Sequence, residues 1–439
     1  MIGYGVATSA YQIEGAVDVD GRGPSTWDEF CTRAGAIVDG SDARVACDSY
    51  HRFDEDLALL EGLGVTAYRF SVAWPRVQPT GRGPANPAGL AYYDRMVDRL
   101  LDKGIRPFPT LFHWDLPLAL EDEGGWPARD TALRFVDYAL LVTDRLGDRV
   151  PTWATLNEPW CTAFLGHAAG VFAPGRREPA AAFDAAHHLL LGHALAAAAI
   201  REQRPGAEVG LVLNLNPVRR EPDGDPVAVE VVDAVQNRLW LDALADGRYP
   251  AVLPVPGAAR AGDLELVRGS ADWVGVNYYT PFRIGAPAPA TDAVGQDVDA
   301  YPGAPDFSFA PRPPLTSMGW EVDASGLEEV LHETARRLPG VPLRVTENGA
   351  AFRDPAGVPD EDRIGYLASH LEAVDRAVAA GVPVHDYFAW SLLDNFEWAQ
   401  GWTQTFGLVA VEPETLRRVP KASYGWYADH IAKRRPLSP

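Results

Sequence analysis

Cysteine is nearly absent. Three occur in 439 residues, Cys31, Cys47 and Cys161, and no two are spaced as C-x-x-C. So small and odd a number argues against a disulfide framework, and the missing pair removes the usual zinc pattern. A reducing compartment is the simplest setting. Basic charge is also short: 39 Lys and Arg stand against 60 Asp and Glu, a formal net charge of -21. That field disfavours nucleic acid, an anionic membrane or a phosphorylated substrate as partner, and most of it solvates the surface. Long hydrophobic runs are missing too. The longest apolar-looking stretch, LLLGHALAAAAI, is too short and interrupted to span a bilayer. The opening MIGYGVATSAYQ has no basic region followed by an apolar core, so no signal peptide is read and a cytoplasmic location is expected. No close sequence repeat occurs.

What is there is a rhythm. Short β-rich segments recur eight times: IGYGVATSA, TAYRFSVAW, IRPFPTLFHW, PTWATLNEP, EVGLVLNLN, DWVGVNYYT, LRVTENGA and VHDYFAWSLLD. Helix-like stretches separate most of them, among them 48–64, 90–105, 131–148 and 365–381, with apolar residues at helical spacing. Alternating strand and helix predicts a parallel sheet. Eight such units predict an α/β fold, a closed (β/α)8 TIM barrel, with residues 1–439 as one catalytic domain and its site at the C-terminal ends of the strands. The Pro- and Ala-rich connection 284–316 reads as irregular, and such a loop is usually functional or mobile. His187, His188 and His193 read as packing or surface histidines, and Asp54-Glu55-Asp56 as a charged helix face.

The strand ends are polar or aromatic: Gln12; Arg69 and Trp74; His113-Trp114-Asp115; Asn157-Glu158; Asn214 and Asn216; Asn277-Tyr278-Tyr279; Glu347-Asn348; Trp390, with Glu397-Trp398 beyond. A carboxylate at the inner end of a strand costs stability unless something is gained there. Two of them, Glu158 and Glu347 on strands four and seven, could face each other over a sugar, as glycoside hydrolysis requires. Trp114, Trp390 and Trp398 each stand beside a polar strand-end residue and offer flat apolar platforms to a pyranose.

Seven motifs carry a family resemblance: YQIEGA (11–16), YRFSVAWPR (68–76), HWDLP (113–117), TLNEPW (155–160), NYYT (277–280), TENG (346–349) and WSLLDNFEW (390–398). In this order, over nearly the whole chain, they resemble glycoside hydrolase family 1, the β-glucosidase and β-galactosidase family. The resemblance implies Glu158 as general acid/base and Glu347 as nucleophile, with Arg69 and Tyr279 contacting the nucleophile. It implies Gln12, His113, Asn157, Glu397 and Trp398 on the hydroxyls of the nonreducing-end sugar, Trp390 as its stacking platform, and Trp320 on the leaving-group side. Trp114 and Phe406 are counted with the substrate-binding residues. Members acting on 6-phosphoglycosides typically lack the Glu found at 397. The implied substrate is therefore a small nonphosphorylated β-glucoside, with β-galactoside or β-fucoside secondary. No cofactor or metal is implied, and the oligomeric state stays open. The chemistry is consistent: a cation and a hydroxyl favour an ionised, attacking Glu347, while burial and a neighbouring charge favour a protonated Glu158.

The chain departs from the family pattern at Ile2-Gly3-Tyr4-Gly5, where an aromatic-rich FxWG is common, and at Asp48-Ser49-Tyr50 in place of Asp-His-Tyr. Gln404-Thr405 replaces a basic pair before Phe406-Gly407, and VAVEPE follows. These bear on the first strand and the late loop. Three other readings compete. A transglycosylase shares every motif. A noncatalytic sugar-binding barrel commonly loses one carboxylate, and both remain here. A metal site at His113 and Asp115, placed by strand alternation on one face, lacks the further ligands it needs. Turnover is expected to survive EDTA; a loss restored by a divalent cation would point to a metal enzyme.

Overall fold

The computed structural model describes residues 2–288, 296–353 and 360–434. Eight parallel strands close into a barrel: β1 (Gly3–Ala7), β2 (Ala67–Ser71), β3 (Arg106–Phe112), β4 (Thr152–Asn157), β5 (Glu208–Asn214), β6 (Trp273–Tyr278), β7 (Leu343–Asn348) and β8 (Val384–Trp390). Each pairs with its neighbours in the chain, and β8 closes on β1. Parallel neighbours need long crossovers. These run through α1 (Ser49–Leu63), α2 (Pro87–Asp102), α3 (Arg129–Leu146), α4 (Pro179–Gln203), α5 (Leu239–Asp246), α6 (Ala324–Arg337) and α7 (Glu361–Ala379), with α8 (Ala422–Arg434) after β8.

Local chemistry explains the helices. In α3 the buried residues Ala132, Phe135, Tyr138, Ala139, Val142 and Leu146 fall on one stripe at helical spacing. Asn86 caps α2 through the Ala88 amide, with Pro87 in the first turn, and Asp323 caps α6 through Ser325. The strands are buried on both faces, which is why they read as apolar runs rather than alternating ones. Inside the barrel Phe108, Trp273 and Phe388 interleave with Ala7, Ala67, Ala154 and Val212. The Phe108 ring lies 5.2 Å from Trp273 and 5.1 Å from Phe388. The barrel interior is therefore a packed floor beneath the strand ends, not a channel.

Three expectations change. Asp56 does not share the solvent face with Asp54 and Glu55. It is 1% exposed and paired with Arg418 of a late hairpin at 2.9 Å. The connection 284–316 is not simply irregular. Phe282–Gly285 pairs with Val218–Arg220 and with Ser308–Phe309 in a small three-stranded sheet, and the rings of Phe282, Tyr301, Phe307 and Phe309 pack against one another. Its residues 289–295 lie outside the described residues. The apolar run 189–200 belongs to α4, whose 25 residues are long and apolar enough to cross a membrane, but 78% of its most apolar window is buried in the protein. The histidines of α4 pack as expected: His187 bonds to Tyr249 and Asp263, His188 to the Trp126 carbonyl, and His193 to Thr155.

The Gly-x-Gly of β1 is explained by space. A Cβ on Gly5 would sit 2.5 Å from the Phe388 ring and 2.6 Å from the Ala67 carbonyl oxygen. Gly5→Ala is expected to cost about 1–3 kcal/mol by overpacking, read as a lower midpoint of urea unfolding. An unchanged midpoint would contradict this account of β1.

Candidate active site

The strand ends are bent to aim side chains inward. Glu347 is the fifth residue of β7, and the register of β7 against β6 slips between Val345 and Glu347. β4 slips against β5 between Ala154 and Asn157, just before Glu158. Such bulges re-aim a side chain. Glu158, Trp114 and Trp398 all take positive φ (43°, 77° and 48°), a conformation costing a non-glycine residue on the order of 1–3 kcal/mol. All three line one cavity together with His113, Tyr279, Trp320, Glu347, Trp390, Glu397 and Phe406.

Behind this wall a continuous hydrogen-bonded chain joins the two carboxyls. Glu347 Oε1 accepts from Arg69 Nη1 at 2.5 Å, and its Oε2 accepts from the Tyr279 hydroxyl at 2.6 Å. Donors on both oxygens are the partners a carboxylate takes. Arg69 Nη2 donates to Asn157 Oδ1 at 2.7 Å. Asn277 Nδ2 donates to the same oxygen at 3.1 Å and to Glu158 Oε1 at 2.7 Å. Asn157 Nδ2 faces His113 Nε2 at 3.0 Å. An amide nitrogen only donates, so Nε2 accepts and the imidazole proton rests on Nδ1. Burial and the Arg69 charge hold the His113 pKa well below its usual value, in keeping with a neutral ring. Gln12 Nε2 donates to Asn395 Oδ1 at 2.9 Å and reaches Glu397 Oε2 at 3.4 Å.

Aromatic rings set the walls. Trp398 stacks on Tyr11 and His113 and lies 4.4 Å from Trp114. Trp114 donates its indole N–H to the Asn157 carbonyl at 2.9 Å. Trp390 lies near-parallel to His113. Tyr279, Trp320 and Phe406 group on another side.

Burial, and after it the charge of Glu347, push the Glu158 carboxyl up to about 8. Desolvation, then Glu347 and Glu158, push Glu397 up to about 8 as well, against the Gln12 hydrogen bond.

Every candidate site residue thus converges, either on the wall or, for Gln12, Arg69 and Asn157, on the bonds behind it. Four other strand-end residues do not: Tyr278 donates its hydroxyl to the Asp323 carbonyl, Asn348 donates to the Tyr278 carbonyl and to Tyr366, and Trp74 and Asp115 also lie apart. Trp74 stacks on Tyr138 in the core at 4.9 Å. β3 ends at Phe112, so strand alternation no longer governs His113 and Asp115, and Asp115 lines a separate small cavity with Arg22 and Arg76. Among the described residues no group of three or more His, Cys, Asp or Glu is placed to hold a metal. Sequence reasoning missed Asn277 as the partner of Glu158, Asn395 as the partner of Gln12, and Cys161, whose Sγ lies 3.1 Å from Glu158 Oε2. Asn277 stood among the strand-end residues, Asn395 sits inside WSLLDNFEW, and Cys161 follows Glu158 by one helical turn.

The sequence profile described as Glycosyl hydrolase family 1 matches residues 2–436. The chain belongs to glycosyl hydrolase family 1. It is 48% identical to a thermostable β-glucosidase B of Thermobispora bispora, covering 98% of this chain and 89% of that one. It is 46% identical to a bifunctional β-D-glucosidase/β-D-fucosidase of Bifidobacterium breve, covering 98% of both. A psychrophilic β-glucosidase from Micrococcus antarcticus superposes with a TM-score of 0.93 at 43% identity, over 99% of this chain and 97% of that one. A Thermotoga maritima β-glucosidase in complex with glucoimidazole does so with a TM-score of 0.90 at 40% identity, over 98% of each.

The raised Glu158 value makes this family 1 site a stability liability at alkaline pH. The folded chain holds the Glu158 proton to about 8, whereas an ordinary glutamate holds it only to 4.5. More protons in the folded state means the contribution is full below the lower value and is lost as pH rises through the upper one. Glu158→Gln is neutral at every pH. Its Tm is expected to exceed that of the parent by about 1–3 °C at pH 8 and to match it at pH 5; the reverse order would contradict the assignment.

Proposed function

We propose that this family 1 glycoside hydrolase is a retaining β-glucosidase that releases terminal nonreducing β-D-glucosyl residues by double displacement. The observation that carries the reading is one cavity wall holding two carboxyls in different surroundings. Glu347 is clamped by Arg69 and Tyr279, and Glu158 is held protonated to about 8. Glu158 gives its proton to the glycosidic oxygen while Glu347 attacks the anomeric carbon. Once that bond forms, burial still acts on Glu158, but the Glu347 charge, the second cause that kept it protonated, is gone. Glu158 then takes a proton from water as it attacks and frees the sugar.

The remaining residues hold the sugar. The Nδ1 proton of His113 is buried with no hydrogen-bond partner among the described residues and is available to a sugar hydroxyl. Asn157, Gln12, Glu397 and Trp398 take the other hydroxyls, Trp390 supplies the apolar face, and Trp320, Phe406 and Trp114 shape the rest of the cavity. β-Fucoside is a secondary substrate, in keeping with the two activities named for the Bifidobacterium relative. The three cysteines are free, which suits an enzyme working in the cytoplasm.

No Lys or Arg stands among the described residues that line the cavity. A 6-phosphate would enter beside Glu397 without a counter-charge. Nitrophenyl β-glucoside is therefore expected to exceed its 6-phosphate in kcat/KM by about a hundredfold or more, and Glu347→Ala to lower turnover on the order of 10⁴-fold. Faster cleavage of the phosphorylated substrate, or normal turnover by Glu347→Ala, would overturn the reading.

A further inference from the structure

Glu158 is held by two partners of different chemistry. Asn277 Nδ2 donates to Oε1 at 2.7 Å and also to Asn157 Oδ1 at 3.1 Å; Arg69, which only donates, marks that Asn157 atom as an acceptor, and this fixes which way the Asn277 amide points. An amide nitrogen cannot accept, so Oε1 is an acceptor in both protonation states; the carbonyl oxygen of a carboxylic acid accepts better than its hydroxyl oxygen, which assigns the acidic proton to Oε2. Facing Oε2 at 3.1 Å is the thiol of Cys161. Cys161 opens a wide-turned π-helix (Cys161–Ala169), and its amide bonds to the Glu158 carbonyl at 3.0 Å, so the two residues move as one turn. From β5, Asn214 Nδ2 approaches the sulfur at 3.8 Å. Burial, and after it the neighbouring Glu158, hold the Cys161 pKa well above its ordinary value, so the S–H persists where Glu158 titrates.

We propose that Cys161 is a positioning residue for the acid/base, a hydrogen-bond partner that reverses its sense as Glu158 changes state. The inference rests on Glu158 being the acid/base. In the first half-reaction the Oε2 proton passes to the glycosidic oxygen as the C–O bond breaks and Glu347 bonds to the anomeric carbon. In the second, a proton from water returns to Oε2, the water oxygen bonds to the anomeric carbon, and the bond to Glu347 breaks. Both transfers use Oε2. A thiol accepts weakly from the protonated oxygen and donates weakly to the ionised one, so it stays with Oε2 throughout. A valine can do neither and a serine both. The other charged and titratable groups acting on Glu158 are Glu347 from β7, Arg69 from β2, Tyr279 beyond β6 and Glu397 beyond β8. All remain in a Cys161 variant.

The test compares the parent with Cys161→Val and Cys161→Ser on two substrates. Dinitrophenyl β-glucoside has a leaving group that needs no acid, so deglycosylation limits its kcat; phenyl β-glucoside needs the acid. Cys161→Val is expected to lower kcat on the dinitrophenyl substrate about three- to tenfold while its kcat/KM stays within about twofold. The alkaline limb of kcat/KM on phenyl glucoside should move to higher pH, because a bond favouring the carboxylate is lost. Cys161→Ser should restore kcat. Equal falls in kcat and kcat/KM for both variants would make Cys161 a packing residue, and unchanged kinetics in Cys161→Val would make it a bystander; either overturns the proposal. Glu158→Gln is the control for the underlying reading. If it keeps phenyl-glucoside turnover, Glu158 is not the acid, whatever Cys161 does.

Discussion

A single guanidinium ties the mouth of this barrel together. Arg69 rises from β2, reaches Glu347 of β7 with one nitrogen and Asn157 of β4 with another, and is 1% exposed. Burying a charge pair costs several kcal/mol per ion unless geometry and further hydrogen bonds compensate. Here they do, because each group is part of a longer chain. Asn157 passes the connection to His113 and Asn277, and Asn277 passes it to Glu158. The two carboxyls on which the chemistry depends are thereby fixed relative to one another by side chains from five strand ends. Moving one member would leave another buried and unpaired, which makes the constellation cooperative.

The same arrangement explains where strain is kept. The register slips in β4 and β7, and the positive φ of Glu158, Trp114 and Trp398, fall at the mouth and serve the site. The floor beneath, with Phe108, Trp273 and Phe388 interleaved among small residues, is ordinary close packing. Rigid packing below lets the irregular backbone above hold geometries it would not adopt alone.

Much of this was legible in the sequence, for local reasons. Each barrel strand is a short apolar run ending in polar residues, so the run marks the strand and its end marks the site. Glu158, Glu347, Arg69 and Trp390 could be placed because chain order around the barrel equals spatial order. What stayed hidden depends on partners far away in the chain. Asp56 reads as one of three surface acids until Arg418, 362 residues on, is found beside it. The sheet through Phe282–Gly285 needs Val218–Arg220 as a partner, and nothing in a Pro-rich stretch announces a pairing supplied from elsewhere. Cys161 was invisible for a different reason: a lone cysteine carries no pattern, and its meaning comes only from the oxygen it faces.

The central claim is that Glu347 bonds covalently to the sugar while Glu158 serves both halves of the reaction. Proton NMR during the first minutes of nitrophenyl β-glucoside hydrolysis tests it most directly, by reading which glucose anomer appears before mutarotation. β-Glucose first is the predicted result and means two displacements at one face. α-Glucose first would mean a single displacement by water, and would contradict the role given to Glu347 even with the fold and the cavity unchanged.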